Sequence, residues 1–137
     1  MKRFILLFSL CAISCSVSFA QVTASGKPMN AEQSKPLLVS QSEFIAKATE
    51  FDGHLASKNT EKYQSTFDEL KKMMEGQFKD EKAKTYAATD NAEKTKYTNH
   101  FHEQFVIYRE IMKMRGDMVA NRAALNEQLL KFARTIN

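Results

Sequence analysis

His100-Phe101-His102-Glu103 is the stretch of this sequence in which side chains able to hold a metal stand closest together. Imidazole and carboxylate are common ligands of first-row metals, and spacing decides whether they can share one ion. Residues two apart lie about 200° apart around a helix, so His100 and His102 point away from each other. His100 and Glu103 fall on one face at i,i+3, and His54 is the candidate third ligand from another segment. Neither the Glu-x-x-His pairs of di-iron bundles nor the His-Glu-x-x-His of zinc proteases occurs. No metal is expected, and His54, His100 and Glu103 are the residues on which that expectation turns. A haem held between methionine and histidine would draw on Met73, Met74, Met112, Met114 or Met118 and on His54, His100 or His102. Methionine at helical spacing is ordinarily adaptable core filling, so no cofactor is expected.

Covalent and acid–base chemistry find less support. Serine and histidine both occur, but no nucleophile elbow or comparable spacing gathers serine, histidine and an acid. Gly-rich phosphate loops are absent, and the chain is not expected to be an enzyme. Arg115-Gly116-Asp117 spells the integrin-binding tripeptide, but it falls at a seam in a helical pattern. Tyr97, Phe101, Phe105 and Tyr108, with Phe51, Tyr63 and Phe67, are spaced for a packed core, with a pocket for an apolar ligand as the other use. Basic residues gather late: Arg109, Lys113, Arg115, Arg122, Lys131 and Arg134 stand against Glu110, Asp117 and Glu127. Arg109, Lys113, Arg115 and Arg122 are the candidate partner contacts. They suit an unknown protein or an anionic envelope component.

These residues must be positioned by helices. Gly53, Gly76 and Gly116 are the only glycines after Leu37, no proline follows it, and Ala, Glu, Lys, Gln and Met are frequent. Ser40 with Glu43 forms a capping-box pattern ahead of Phe44, Ala48, Phe51 and Leu55, which share one helical face. Tyr63, Phe67, Leu70, Met74 and Phe78 mark a second helix that thins into the charged run 79–84. Asp90 with Glu93 opens a third, whose stripe is Tyr97, Phe101, Phe105, Tyr108 and Met112. Asp117 is the predicted cap of a fourth, carrying Met118, Leu125, Leu129, Phe132 and Ile136. The expected fold is an all-α, up-down bundle of three to four amphipathic helices, about 41–57, 60–87, 91–114 and 117–135. A heptad register from 101 to 136 offers one long coiled-coil-like helix instead, but Arg115 and Arg122 on that seam favour a break.

The N-terminus has the three-part layout of an export signal. Met1-Lys2-Arg3 precedes an apolar run from Phe4 to Ile13, and Ser18-Phe19-Ala20 places small residues before a cut between Ala20 and Gln21. The run is shorter than the roughly 20 apolar residues of a membrane span. A lipid anchor at Cys15 is the alternative, on a loose lipobox at Ala12-Ile13-Ser14-Cys15. Cleavage would remove Lys2, Arg3, Cys11 and Cys15, so half of the formal +4 charge and both cysteines belong to the signal. The expected organisation is a signal peptide at 1–20, a flexible polar leader at 21–39 containing both prolines, and a helical domain at 40–137. Leu37-Leu38-Val39 is expected to clip onto that domain. Export makes nucleic acid an improbable partner, and association with further copies through helical faces fits the amphipathic pattern. The function expected is partner binding without catalysis in the periplasm or outside the cell. The charged hairpin at 79–96 is similar in character to the arms of helical chaperones. The second reading is a metal or haem carrier.

Overall fold

The structure, a computed structural model, describes residues 38–136. The predicted export signal, its expected cut between Ala20 and Gln21, the alternative lipid anchor at Cys15 and most of the expected leader lie outside the described residues. Four α-helices follow in order: α1 (Gln41–Ala56), α2 (Thr60–Ala87), α3 (Asn91–Lys113) and α4 (Arg122–Arg134). A one-turn 3-10 helix, Met114–Asp117, separates the last two. Each helix packs on the next and α4 closes against α1, giving the all-α bundle that the periodicity predicts.

Contacts between helices fix their directions. Lys47 reaches Glu69 and Phe51 meets Phe67 across α1 and α2. Glu75 meets Tyr108 and Glu81 meets His100 across α2 and α3. Phe44 meets Phe132 and Asp52 meets Arg122 across α1 and α4. In every pair of contacts one number rises as the other falls, so these neighbours run antiparallel, as short connections favour.

The helix starts are chemical. Ser40 Oγ accepts the Glu43 N–H at 3.3 Å while Glu43 Oε2 accepts the Ser40 N–H at 2.7 Å. Two orphan donors of the first turn are thereby satisfied, in an arrangement typically worth about 1 kcal/mol. Asn59 accepts the Lys62 N–H at 3.2 Å to open α2, and Asp90 accepts the Glu93 N–H at 3.3 Å to open α3. At the end of α1 the N–H of Asn59 bonds the His54 carbonyl and that of Lys58 bonds the Leu55 carbonyl, both at 3.1 Å. This double closure requires a left-handed residue, and Lys58 takes that place with φ 53°.

The last connection differs from the expectation. The chain does break near Gly116, so no single helix spans 97–136, but Asp117 does not start α4. Its Oδ1 accepts the Ala120 N–H at 3.1 Å and caps a turn. The regular helix waits until Arg122, after an Asn121 that makes no side-chain cap. The two arginines of the heptad seam diverge at this turn. Arg115 faces Asp68 of α2 and Arg122 binds Asp52 of α1, so they do not share one interface.

The core is built from Phe44, Phe51 and Leu55 of α1, Phe67, Leu70 and Met74 of α2, Ile111 of α3, and Leu125, Leu129 and Phe132 of α4. Val39 packs against it, and its carbonyl accepts from Gln77 Nε2 at 3.0 Å. On α3 the aromatic stripe is not the buried line: Gln104 and Ile111 are buried, while Phe105 keeps 38% of its surface exposed. The aromatics instead lie along the α2 seam around Phe78, whose ring centre is 5.0 Å from Tyr108, 6.0 Å from Phe105 and 6.2 Å from Phe101. Four helices around one core leave α3 two packing directions, and the bulky rings fill the outer one.

Helix length shapes the rest. At 1.5 Å per residue α2 and α3 are about 42 and 34 Å long, against about 24 and 20 Å for α1 and α4. The longer pair therefore outruns the shorter one. Between Glu81 and His100 the paired ends form an arm in which only Thr85, Ala88 and Tyr97 are even half-buried. Among the described residues no helix is long and apolar enough to cross a membrane.

Candidate functional site

Where the arm leaves the four-helix region, a ledge forms against the end of α4. It holds a groove of about 750 Å³. The C-terminal part of α2 contributes Glu81 and Lys84, α3 contributes Lys96, Tyr97, His100, Glu103 and Ile107, and the last turn of α4 contributes Lys131 and Arg134, with Thr135 just past it. Tyr97 and Ile107 give it apolar wall, and the charged groups surround that wall.

The cations are of two kinds. Lys84 is held by Asp80 at 2.7 Å and Glu81 at 3.1 Å. Asp80 first, and Glu81 after it, keep its ammonium above the ordinary lysine range, against a desolvation that works the other way. Lys131 is held by Glu127 at 2.8 Å, whereas among the described residues Lys96 and Arg134 take part in no ion pair. The groove therefore presents two uncommitted cations, one from α3 and one from α4.

Its floor is a buried polar cluster. Glu81 is 4% exposed, and a carboxylate so placed is costly unless partners replace its water. Oε1 accepts from Lys84 Nζ at 3.1 Å. Oε2 stands 3.1 Å from His100 Nδ1, without hydrogen-bonding geometry. The opposite ring nitrogen, Nε2, lies 2.7 Å from the Thr135 carbonyl. A carbonyl only accepts, so Nε2 carries a proton. Gln104 Nε2 reaches the same carbonyl at 3.5 Å. The C-terminus of α4, whose dipole favours cations, is thus closed by a histidine from α3 that also faces a carboxylate from α2.

The sequence-predicted residues fall in different places. His100 and Glu103 both line the groove. His54 lies near the end of α1, 3.5 Å from Glu50, at the opposite end of the bundle, and His102 is exposed on α3. Among the described residues no three His, Cys, Asp or Glu side chains stand where they would hold a metal ion. Met74 and Met118 are buried, and Met73, Met112 and Met114 pack against the core. Of Arg109, Lys113, Arg115 and Arg122, three stand against carboxylates. Arg122 is bound to Asp52, Arg115 faces Asp68 at 3.9 Å, and Lys113 pairs with Glu110 at 2.6 Å within its own helix. Arg115, Gly116 and Asp117 are exposed on the 3-10 turn, with Asp117 already used as a cap.

Glu81 was the residue that sequence reasoning missed. The signal was present: it lies at i+7 from Met74 and i+3 from Phe78, a carboxylate in line with an apolar stripe. No family model, curated protein or solved structure matches the chain.

Proposed function

We propose that the chain is an exported, non-enzymatic binding protein whose working surface is the groove at the base of the arm, and that its partner is an acidic polypeptide segment. The observation that carries this reading is the pair of uncommitted cations, Lys96 and Arg134, facing one recess from two helices. A carboxylate-bearing chain satisfies both while its side chains lie on Tyr97 and Ile107. The recess suits a strand-like or extended segment better than the flat surface of a membrane. His100, the groove's general-base type of side chain, is bound through Nε2 to the Thr135 carbonyl, which suits holding more than proton transfer.

The test is fluorescence anisotropy of labelled poly-glutamate with the purified chain, beside co-sedimentation with anionic lipid vesicles. Saturable binding to poly-glutamate that weakens as salt rises is expected. Replacing Lys96 and Arg134 together by alanine is expected to weaken it about tenfold, the size of two partly screened charge contacts. Replacing Arg109 and Lys113 should leave it unchanged. Absence of saturable binding, an equal loss from the second pair, or binding to vesicles alone would overturn the proposal.

A further inference from the structure

A second charged surface lies on the flank of α3 that faces away from the groove. Along α2, Glu75, Lys79, Lys82 and Tyr86 follow at i, i+4, i+7 and i+11; along α3, Lys94, His102, Phe105 and Arg109 follow at i, i+8, i+11 and i+15. Each set is one helical stripe. Glu75 accepts from the Tyr108 hydroxyl at 3.2 Å and the Phe78 ring centre is 6.0 Å from that of Phe105, which brings the stripes side by side. The α3 stripe is roughly half a turn around the helix from Lys96 and His100. We propose that this outer face of α2 and α3 docks the protein on an anionic lipid surface. The groove takes no part in that contact.

Charge selects the partner. Lys79, Lys82, Lys94 and Arg109 are exposed, and among the described residues none of them takes part in an ion pair. Glu75 is the only carboxylate on the two stripes, and it faces Lys71 at 3.7 Å. A row of four uncompensated cations on neighbouring helices suits negative charge spread over a surface. Three of the four are lysines, point charges on flexible stems, and not the planar forks that grip one phosphate or carboxylate from two sides.

Two rings stand among these cations. Tyr86 keeps 76% of its surface exposed, and Lys82 Nζ lies 5.9 Å from its ring centre. Phe105 is stacked on Phe101 one turn before it, at 5.8 Å, and on Tyr108 one turn after it, at 6.4 Å. Both faces of Phe105 are therefore covered, and its edge meets solvent. Single-stranded nucleic acid needs open ring faces on which bases stack. Ring edges flanked by lysines fit a headgroup layer instead, where aromatics sit at the interface and cationic side chains lay their stems along apolar surface.

Co-sedimentation of the purified chain with vesicles of phosphatidylglycerol and phosphatidylcholine in equal parts, at physiological salt, tests the docking. Binding is expected there and not with phosphatidylcholine alone, and it should weaken as salt rises. Replacing Lys79 and Lys82 together by alanine should weaken it about tenfold, since one cation near an anionic bilayer is worth up to about fivefold. Replacing Lys96 and Arg134 should leave it unchanged. The chain has no tryptophan, so Tyr86→Trp supplies a single reporter whose emission should shift to the blue on the anionic vesicles. No binding to those vesicles, equal binding to both compositions, or an equal loss from the groove pair would overturn the docking face. So would an unshifted Tyr86→Trp, or capture of a single-stranded oligonucleotide in place of vesicles. Vesicle binding beside absent poly-glutamate binding would support the docking face and count against the groove alone.

Discussion

A single carboxylate shows how much of this bundle is set by individual side chains. Asp52 receives Arg122 Nε at 2.6 Å and its terminal nitrogen at 2.7 Å, a bidentate clamp between α1 and α4 across 70 residues of sequence. Asn126 donates to the same carboxylate. Arg122 foremost, with Asn126 assisting against partial burial, holds the Asp52 carboxyl below the usual carboxylate range. A lowered folded-state value means that the unfolded chain binds the proton more tightly. The clamp's stabilisation is thus present above the ordinary aspartate range and is lost as pH falls through the lower folded value. Both side chains are partly exposed, so solvent screening limits the clamp to about 1 kcal/mol. Asp52→Asn is expected to lower stability by about that amount at pH 7, and the gap to the unmodified chain should close below about pH 4. Urea denaturation at pH 7 and pH 3 reads both quantities. A gap of equal size at the two values would show that the loss is not electrostatic. Arg122 also marks a limit of sequence reading: its charge was visible as a candidate partner contact, but the acid that takes it lies on another helix.

Helix α1 carries its two backbone mismatches within six positions. Gly53 sits inside the helix, exposed, with no atom within 4 Å of where a Cβ would stand. Lys58 occupies the left-handed closing position that glycine fills without steric cost. Exchanging the residue types should help at both places. Gly53→Ala and Lys58→Gly are each expected to stabilise the chain by about 0.5–1 kcal/mol. Because the sites are distinct, the gains should add approximately, raising the denaturation midpoint without changing the slope. A destabilised Lys58→Gly would mean that the closure does not form in solution. Element existence and direction were legible because Ser40, Asn59 and Asp90 cap locally and Phe44, Phe51, Phe67 and Leu129 repeat at helical spacing. The face of α3 was not. Two lines on that helix, 101/105/108/112 and 100/104/107/111, compete for the interior, and only the placement of Phe78 and Phe132 on other helices decides between them. Surface pairing was equally obscure: Lys47 stands four residues after Glu43 on α1, yet it pairs with Glu50 and Glu69, both at 2.8 Å, because Glu43 is committed to Ser40.

At the scale of the whole molecule, unequal helix lengths generate both the arm and the groove. The site was half legible for the same reason. His100 and Glu103 drew attention by residue type, and Lys131 and Arg134 by charge. Their meeting with Glu81 depends on α4 ending level with the middle of the α2–α3 pair, which no local pattern specifies. The same geometry predicts a gradient of stability along two continuous helices. From Phe67 to Phe78, α2 is covered by core side chains of α1 and α4. Beyond Glu81 every residue of α2 but the half-buried Thr85 is exposed among the described residues, so the arm's backbone bonds face water on most sides. Amides there need only a local opening to exchange, whereas those over the core need an opening close to global unfolding. Hydrogen exchange should therefore be fastest at 82–87 and 91–99 and slowest at 67–78 and 104–112, with the boundary at the Glu81–His100 contact. Uniform protection along α2 would mean that the arm is held by something other than its own two helices.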